Sequence, residues 1–139
     1  MFQGLATISF YADDLVAAAH WYTELLGVEP YYVFPAQPAP AAYIEFRVGG
    51  DQAELGFIDR KYAPSAASSG SGGAVAFWHV DDLSATVNEL VAMGASEYEP
   101  LTERESGFAT ASFIDPFGNI LGVMTNPHFL EMRTRRNSV

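Results

Sequence analysis

The chemistry open to this chain rests on its histidine, carboxylate, arginine and tyrosine side chains, because it contains no cysteine. That absence removes disulfides, thiolate metal sites and a cysteine nucleophile together, and it fits a reducing compartment. Three histidines are present, His20, His79 and His128. His79 follows the apolar pair Phe77-Trp78 and has two readings, a proton shuttle of the kind imidazole provides near neutral pH, or a hydrogen-bonded strand residue. His20, beside Trp21, reads as surface or interface, and His128 belongs to the C-terminal tail. Arg47 with Glu45 and Glu54 either orients a ligand carboxylate or closes an internal ion pair. Tyr11 and Tyr43 offer stacking surface rather than acid chemistry. No Ser/His/Asp order, glycine-rich phosphate loop or zinc-spaced histidine pair is found.

A repeated plan must position these groups. Phe10-Tyr-Ala-Asp-Asp-Leu15 resembles Phe77-Trp-His-Val-Asp-Asp-Leu83, and Asp82 lies 68 residues beyond Asp14. Side chains from Thr7 to Ala12 alternate as in a strand, after which Asp13 and Asp14 supply capping oxygens and negative charge for a helix start. Leu15, Ala18, Ala19, Tyr22, Leu25 and Leu26 recur at helical spacing up to Gly27, and Leu83, Val87, Leu90 and Val91 repeat the pattern before Gly94. Strands are expected at Tyr31 to Phe34, Tyr43 to Val48, Ala53 to Ile58, Phe108 to Ile114 and Ile120 to Thr125, with a weaker one near Ala95 to Glu99. Asp115-Pro-Phe-Gly-Asn119 is a tight hairpin turn. Pro35 to Pro40 reads as a loop over the sheet, and Tyr62 to Gly73, rich in serine and glycine, as a flexible connector. The expected plan is α+β, two tandem βαβββ modules at residues 4–62 and 74–126. Their strands form a curled, mixed eight-stranded sheet around a cavity, with helices outside. The tail, residues 127–139, adds a short helix at Pro127 to Met132 and then frays.

Bulk properties restrict the partners. A chain of 139 residues suits one domain, and 49% hydrophobic residues with 17% charged residues suit a globular one. Seven Lys+Arg against 17 Asp+Glu give a formal charge of −10, which repels phosphate backbones and anionic lipid surfaces. Neither nucleic acid nor a membrane is an expected partner. The basic residues Arg133, Arg135 and Arg136 read as a solvated tail. The start Met1-Phe-Gln-Gly-Leu5 lacks the basic and apolar regions of a secretion signal, and no apolar run approaches a membrane span, so a cytoplasmic protein is expected.

Taken together, the strand into Asp-Asp-Leu, the helix closing in Leu25-Leu-Gly-Val28, their repeat, and the Asp115-Pro-Phe-Gly-Asn-Ile-Leu121 turn resemble the vicinal oxygen chelate superfamily. That superfamily includes glyoxalase I, extradiol dioxygenases, and fosfomycin- and bleomycin-resistance proteins, and the resemblance covers about residues 5 to 126. In its metal-using members, ligands come from the opening strand and a later strand of each half. Those positions fall here on Thr7, Glu54, Val75 and Gly122, a set with one carboxylate, so neither a metal nor another cofactor is expected. Residues in phase with them line the concave face: Thr7, Ser9, Tyr11, Tyr43, Glu45, Arg47, Glu54 and Ile58 in the first half. In the second half they are Val75, Phe77, His79, Phe108, Thr110, Ser112, Ile114, Ile120 and Met124. The out-of-phase set, including Ile44, Phe46, Leu55, Phe57, Trp78, Phe113, Leu121 and Val123, is apolar and packs under the helices. The resemblance implies a metal-free homodimer that sequesters a small, partly aromatic ligand. The competing reading is a metal-independent lyase, isomerase or hydrolase using Glu54, His79 or Arg47.

Overall fold

The fold was obtained as a computed structural model that describes residues 1–64 and 70–138. The chain divides into two compact units, Met1–Ser69 and Gly70–Val139. Part of the expected connector, residues 65–69, and the last residue of the tail lie outside the described residues.

In the first unit, β1 (Thr7–Ala12) leads into α1 (Leu15–Leu26), followed by β2 (Tyr32–Phe34), β3 (Tyr43–Val48) and β4 (Ala53–Asp59). The strands form one mixed sheet in the order β1-β4-β3-β2, with β1 parallel to β4. Asp14 is the helix cap, its carboxylate accepting the Ala17 amide at 3.0 Å, whereas Asp13 pairs with Arg60 at 3.1 Å. Gly27 ends α1 at φ 70°, a left-handed conformation that only glycine adopts without strain. Between the helix and the sheet lie Leu15, Ala18 and Tyr22 from α1 and Ile44, Phe46, Leu55 and Phe57 from β3 and β4, all buried. The Tyr22 ring lies 4.5 Å from that of Phe57. Burial of Phe46 and Phe57 contributes roughly 1.5–3 kcal/mol each before entropy is counted.

The second unit repeats this with β5 (Ala76–His79), α2 (Leu83–Ala92), β6 (Ser96–Glu103), β7 (Ala109–Ile114) and β8 (Ile120–Thr125), in the sheet order β5-β8-β7-β6. Asp82 caps α2 through the Ala85 amide at 3.0 Å. Leu83, Leu90, Ala111, Phe113, Leu121 and Val123 are buried, but Val91, expected on the apolar stripe, is 57% exposed. Asp115 is buried in the turn, where one carboxylate oxygen accepts the amides of Phe117 and Asn119 at 2.9 and 2.8 Å. The eight strands thus fall into two four-stranded mixed sheets, one per unit.

Two elements run past their expected ends. β6 continues to Glu103 because Pro100, which has no amide to donate, sits within register shifts between Glu97 and Thr102 rather than ending the strand. The last helix, α3 (Pro127–Asn137), does not fray after Met132. Asn126 caps it by accepting the Phe129 amide at 2.9 Å, Pro127 opens it, and Glu131 pairs with Arg135 at 2.6 Å. No helix among the described residues is long and apolar enough to cross a membrane.

Candidate functional site

Strand register decides which side chains share a face. Thr7 pairs with Glu54 and Glu54 with Arg47, while Ser9, Gly56 and Glu45 form the next row and Tyr11, Ile58 and Tyr43 the one after. Every in-phase residue named for the first half therefore lies on the face opposite α1. Tyr32 and Phe34 of β2 extend those rows across from Glu45 and Tyr43.

Five polar residues of this face, Thr7, Glu54, Arg47, Glu45 and Tyr43, are bound to one another in a chain. Thr7 Oγ1 donates to Glu54 Oε2 at 2.6 Å, and Arg47 Nη2 lies 3.3 Å from Glu54 Oε1. Arg47 Nε donates to Glu45 Oε2 at 2.9 Å, and the Tyr43 hydroxyl donates to Glu45 Oε1 at 2.9 Å. Burial, then the hydrogen bond to Glu45 and the charges of Glu45 and Glu54, push the Tyr43 phenol up to about 12. The bond to Glu45 likewise holds the Arg47 guanidinium more firmly protonated. One cation against two carboxylates leaves the network with a formal charge of −1.

Rings frame the network. The Arg47 guanidinium lies 4.3 Å from the centre of the Tyr31 ring, and the Tyr32 and Tyr43 rings are 6.4 Å apart. Tyr31, Tyr32 and Phe34 are all exposed. The sequence puts these three in an expected strand and gives no sign that they belong to the site. Only Tyr32 and Phe34 alternate, about Val33, in a strand of three residues that Tyr31 precedes, too short a run to mark a face. Gly56 is the reason Tyr43 can lie against the sheet, since a Cβ there would overlap the phenol ring and hydroxyl.

The second unit carries a corresponding face. Phe77, Gly122 and Ser112 form one row, and His79, Met124 and Thr110 the next. The Phe77 ring lies over Gly122, whose added Cβ would come within 2.7 Å of Phe77 Cδ1. Phe108 precedes β7, and Thr110 accepts a hydrogen bond from Arg104 Nε at 3.2 Å. The His79 side chain is only 5% exposed. Its Nδ1 accepts the Asn126 amide at 3.1 Å, and its ring stacks on Phe129 of α3 with centroids 5.0 Å apart. Nε2 is buried 3.5 Å from Asp81 Oδ1, outside hydrogen-bond geometry. The bonded tautomer thus carries its proton on Nε2, and the ring serves to seat α3.

Register also corrects one position. Ser9 and Phe77 stand 68 residues apart, yet their partners Gly56 and Gly122 stand 66 apart, because the second unit is two residues shorter between these strands. Gly122 is therefore the counterpart of Gly56, and Ile120 that of Glu54. By residue type alone, Thr7, Glu54, Val75 and Ile120 are a poor set for a divalent ion, with one carboxylate among the four. The single carboxylate already accepts a hydrogen bond from the Thr7 hydroxyl and faces a guanidinium, and neither Val nor Ile has a side-chain donor atom. Among the described residues no three His, Asp or Glu side chains form a group able to hold a metal ion.

Residues 4–123 match the Glyoxalase/Bleomycin resistance protein/Dioxygenase superfamily. The chain belongs to that superfamily. Among solved structures it is similar to a glyoxalase-related enzyme from Fulvimarina pelagi, with 22% identity, 91% of this chain and 90% of that chain covered, and a TM-score of 0.69. A bleomycin resistance determinant encoded on the transposon Tn5 gives 21% identity, 90% and 99% coverage and a TM-score of 0.61. A fosfomycin resistance protein from Mesorhizobium loti gives 15%, 95% and 99%, and 0.64. At these identities the likeness to each structure is one of fold. No curated protein matches the sequence.

Proposed function

We propose that this superfamily member is a cytoplasmic, homodimeric binding protein that sequesters a small, planar, partly aromatic molecule without a metal ion. One observation carries the reading. On the first unit's open face, Thr7, Glu54, Arg47, Glu45 and Tyr43 satisfy one another in one network, while Tyr31, Tyr32 and Phe34 stand exposed around them. A preorganised polar strip bordered by rings suits recognition of a flat ligand with hydrogen-bonding edges. Both carboxylates of this network are already engaged, Glu54 by Thr7 and Arg47, and Glu45 by Arg47 and Tyr43, which favours binding over turnover. His79, the other candidate for proton transfer, is committed to α3.

The test is a thermal-shift screen of planar aromatic metabolites and antibiotics, run with and without chelator. The expected result is stabilisation by at least one compound, unchanged by chelator. Turnover that requires stoichiometric zinc, nickel or iron would overturn the proposal.

A further inference from the structure

Two further surfaces, one on each unit, are opposite in character. On the first unit, a groove of about 1010 Å³ opens beside α1, with Val16 and Ala19 of the helix and Val33 of β2 on its walls. Asp13, Glu24 and Glu29 also line it, and Glu24 and Glu29 are exposed. On the second unit, Met132 and Arg133 lie three and four residues after Phe129, and Arg136 lies four and three after them, spacings that put the four side chains on one side of α3. Phe129 is 39% and Met132 46% exposed. Each surface has what the other lacks. The groove is apolar with carboxylates, and the helix face is apolar with guanidinium groups.

We propose that α3 of one copy docks in the groove beside α1 of a second copy. The inference rests on the homodimer reading above and names its contact. A chain with formal charge −10 repels itself, so association is favoured where a locally basic element faces an acidic one. α3 holds Arg133, Arg135 and Arg136, three of the seven Lys and Arg residues. Its 11 residues span about 16 Å, and a single helix face of that length covers less than the ~800 Å² per partner of a stable interface. Exchange of helices between two copies makes the contact twice, with each copy giving a helix and a groove.

The experiment is sedimentation equilibrium of the full chain over a range of concentrations at low and high salt. It compares the wild type with R133E/R136E, with E24K/E29K and with the four-substitution swap, each checked for native circular dichroism. The expected result is a dimer weakened by salt, weakened at least about tenfold by either reversal, and returned to within about threefold of wild type by the swap. A monomer at every concentration overturns the homodimer reading and this inference with it. A dimer indifferent to either reversal, or a swap that fails to restore association, overturns the docking alone.

Discussion

Replacing Gly56 with alanine tests how the first unit's face is built. The new methyl group would occupy space held by the Tyr43 phenol, so the ring must swing away from β4. Ring displacement in a packed site costs on the order of 1–3 kcal/mol. Loss of the 2.9 Å bond from Tyr43 to Glu45 adds about 1 kcal/mol. Alanine returns about 0.5–1 kcal/mol by restricting the unfolded chain. The net expectation is a loss of about 2 kcal/mol, a fall of roughly 6–8 °C in Tm for a chain of this size. A second readout is specific to the mechanism. In the native protein the Tyr43 phenol ionises at about 12, above its ordinary value of 10.0. Its contribution to stability is therefore complete below pH ~10 and is lost as pH rises through about 12, because the native state then binds more protons than the unfolded chain. Spectrophotometric titration of tyrosinate, with Y43F as the reference that assigns the Tyr43 phenol, should show that phenol ionising late in the wild type and moved toward the ordinary range in G56A. Y43A should relieve the clash, so the double variant loses less than the two single variants combined. A G56A protein with unchanged Tm and unchanged titration would refute the packing account.

Other outcomes follow from the same geometry. D14A and D82A each remove a helix cap and should cost about 1 kcal/mol, adding in the double variant because the two caps share no partner, as denaturant titrations would show. H79L leaves the Asn126 amide without its acceptor and removes the ring against Phe129. Hydrogen exchange across Pro127–Asn137 should rise while that of α1 stays unchanged, and equal protection of α3 would argue against the seating role. G122A should be destabilising as G56A is, since its Cβ meets Phe77, Val75 and the Ala76 carbonyl within 2.9 Å. Melting curves test it directly.

The architecture was legible because each layer of signal agreed. Asp-Asp-Leu followed by an apolar helical stripe appears twice, and alternation in β3 and β4 sends Phe46, Leu55 and Phe57 one way and Glu45, Arg47 and Glu54 the other. The two-residue slip at Gly122 was not legible, since counting from a repeated motif cannot detect a shortening that only strand pairing reveals. The role of His79 lay equally out of reach. Its occupation depends on α3 folding back through Asn126 and Phe129, a tertiary contact with no local signature. The extent of α3 was underestimated despite the Asn126-Pro127 start, because its polar composition masks a helix held by caps and an Arg135–Glu131 pair. The choice between a ligand clamp and a closed ion pair at Arg47 also needed coordinates, which place both carboxylates within 3.3 Å of its guanidinium.

The central claim is that a flat ligand binds on the ring-framed face of β2, β3 and β4 without a metal. The most direct measurement is an amide and side-chain NMR titration of chelator-treated protein with a compound found by thermal shift. The account predicts perturbations concentrated at Tyr31, Tyr32, Tyr43, Arg47 and Glu54, and their loss in R47A. Perturbations located elsewhere, or binding that appears only after a divalent ion is added, would contradict it.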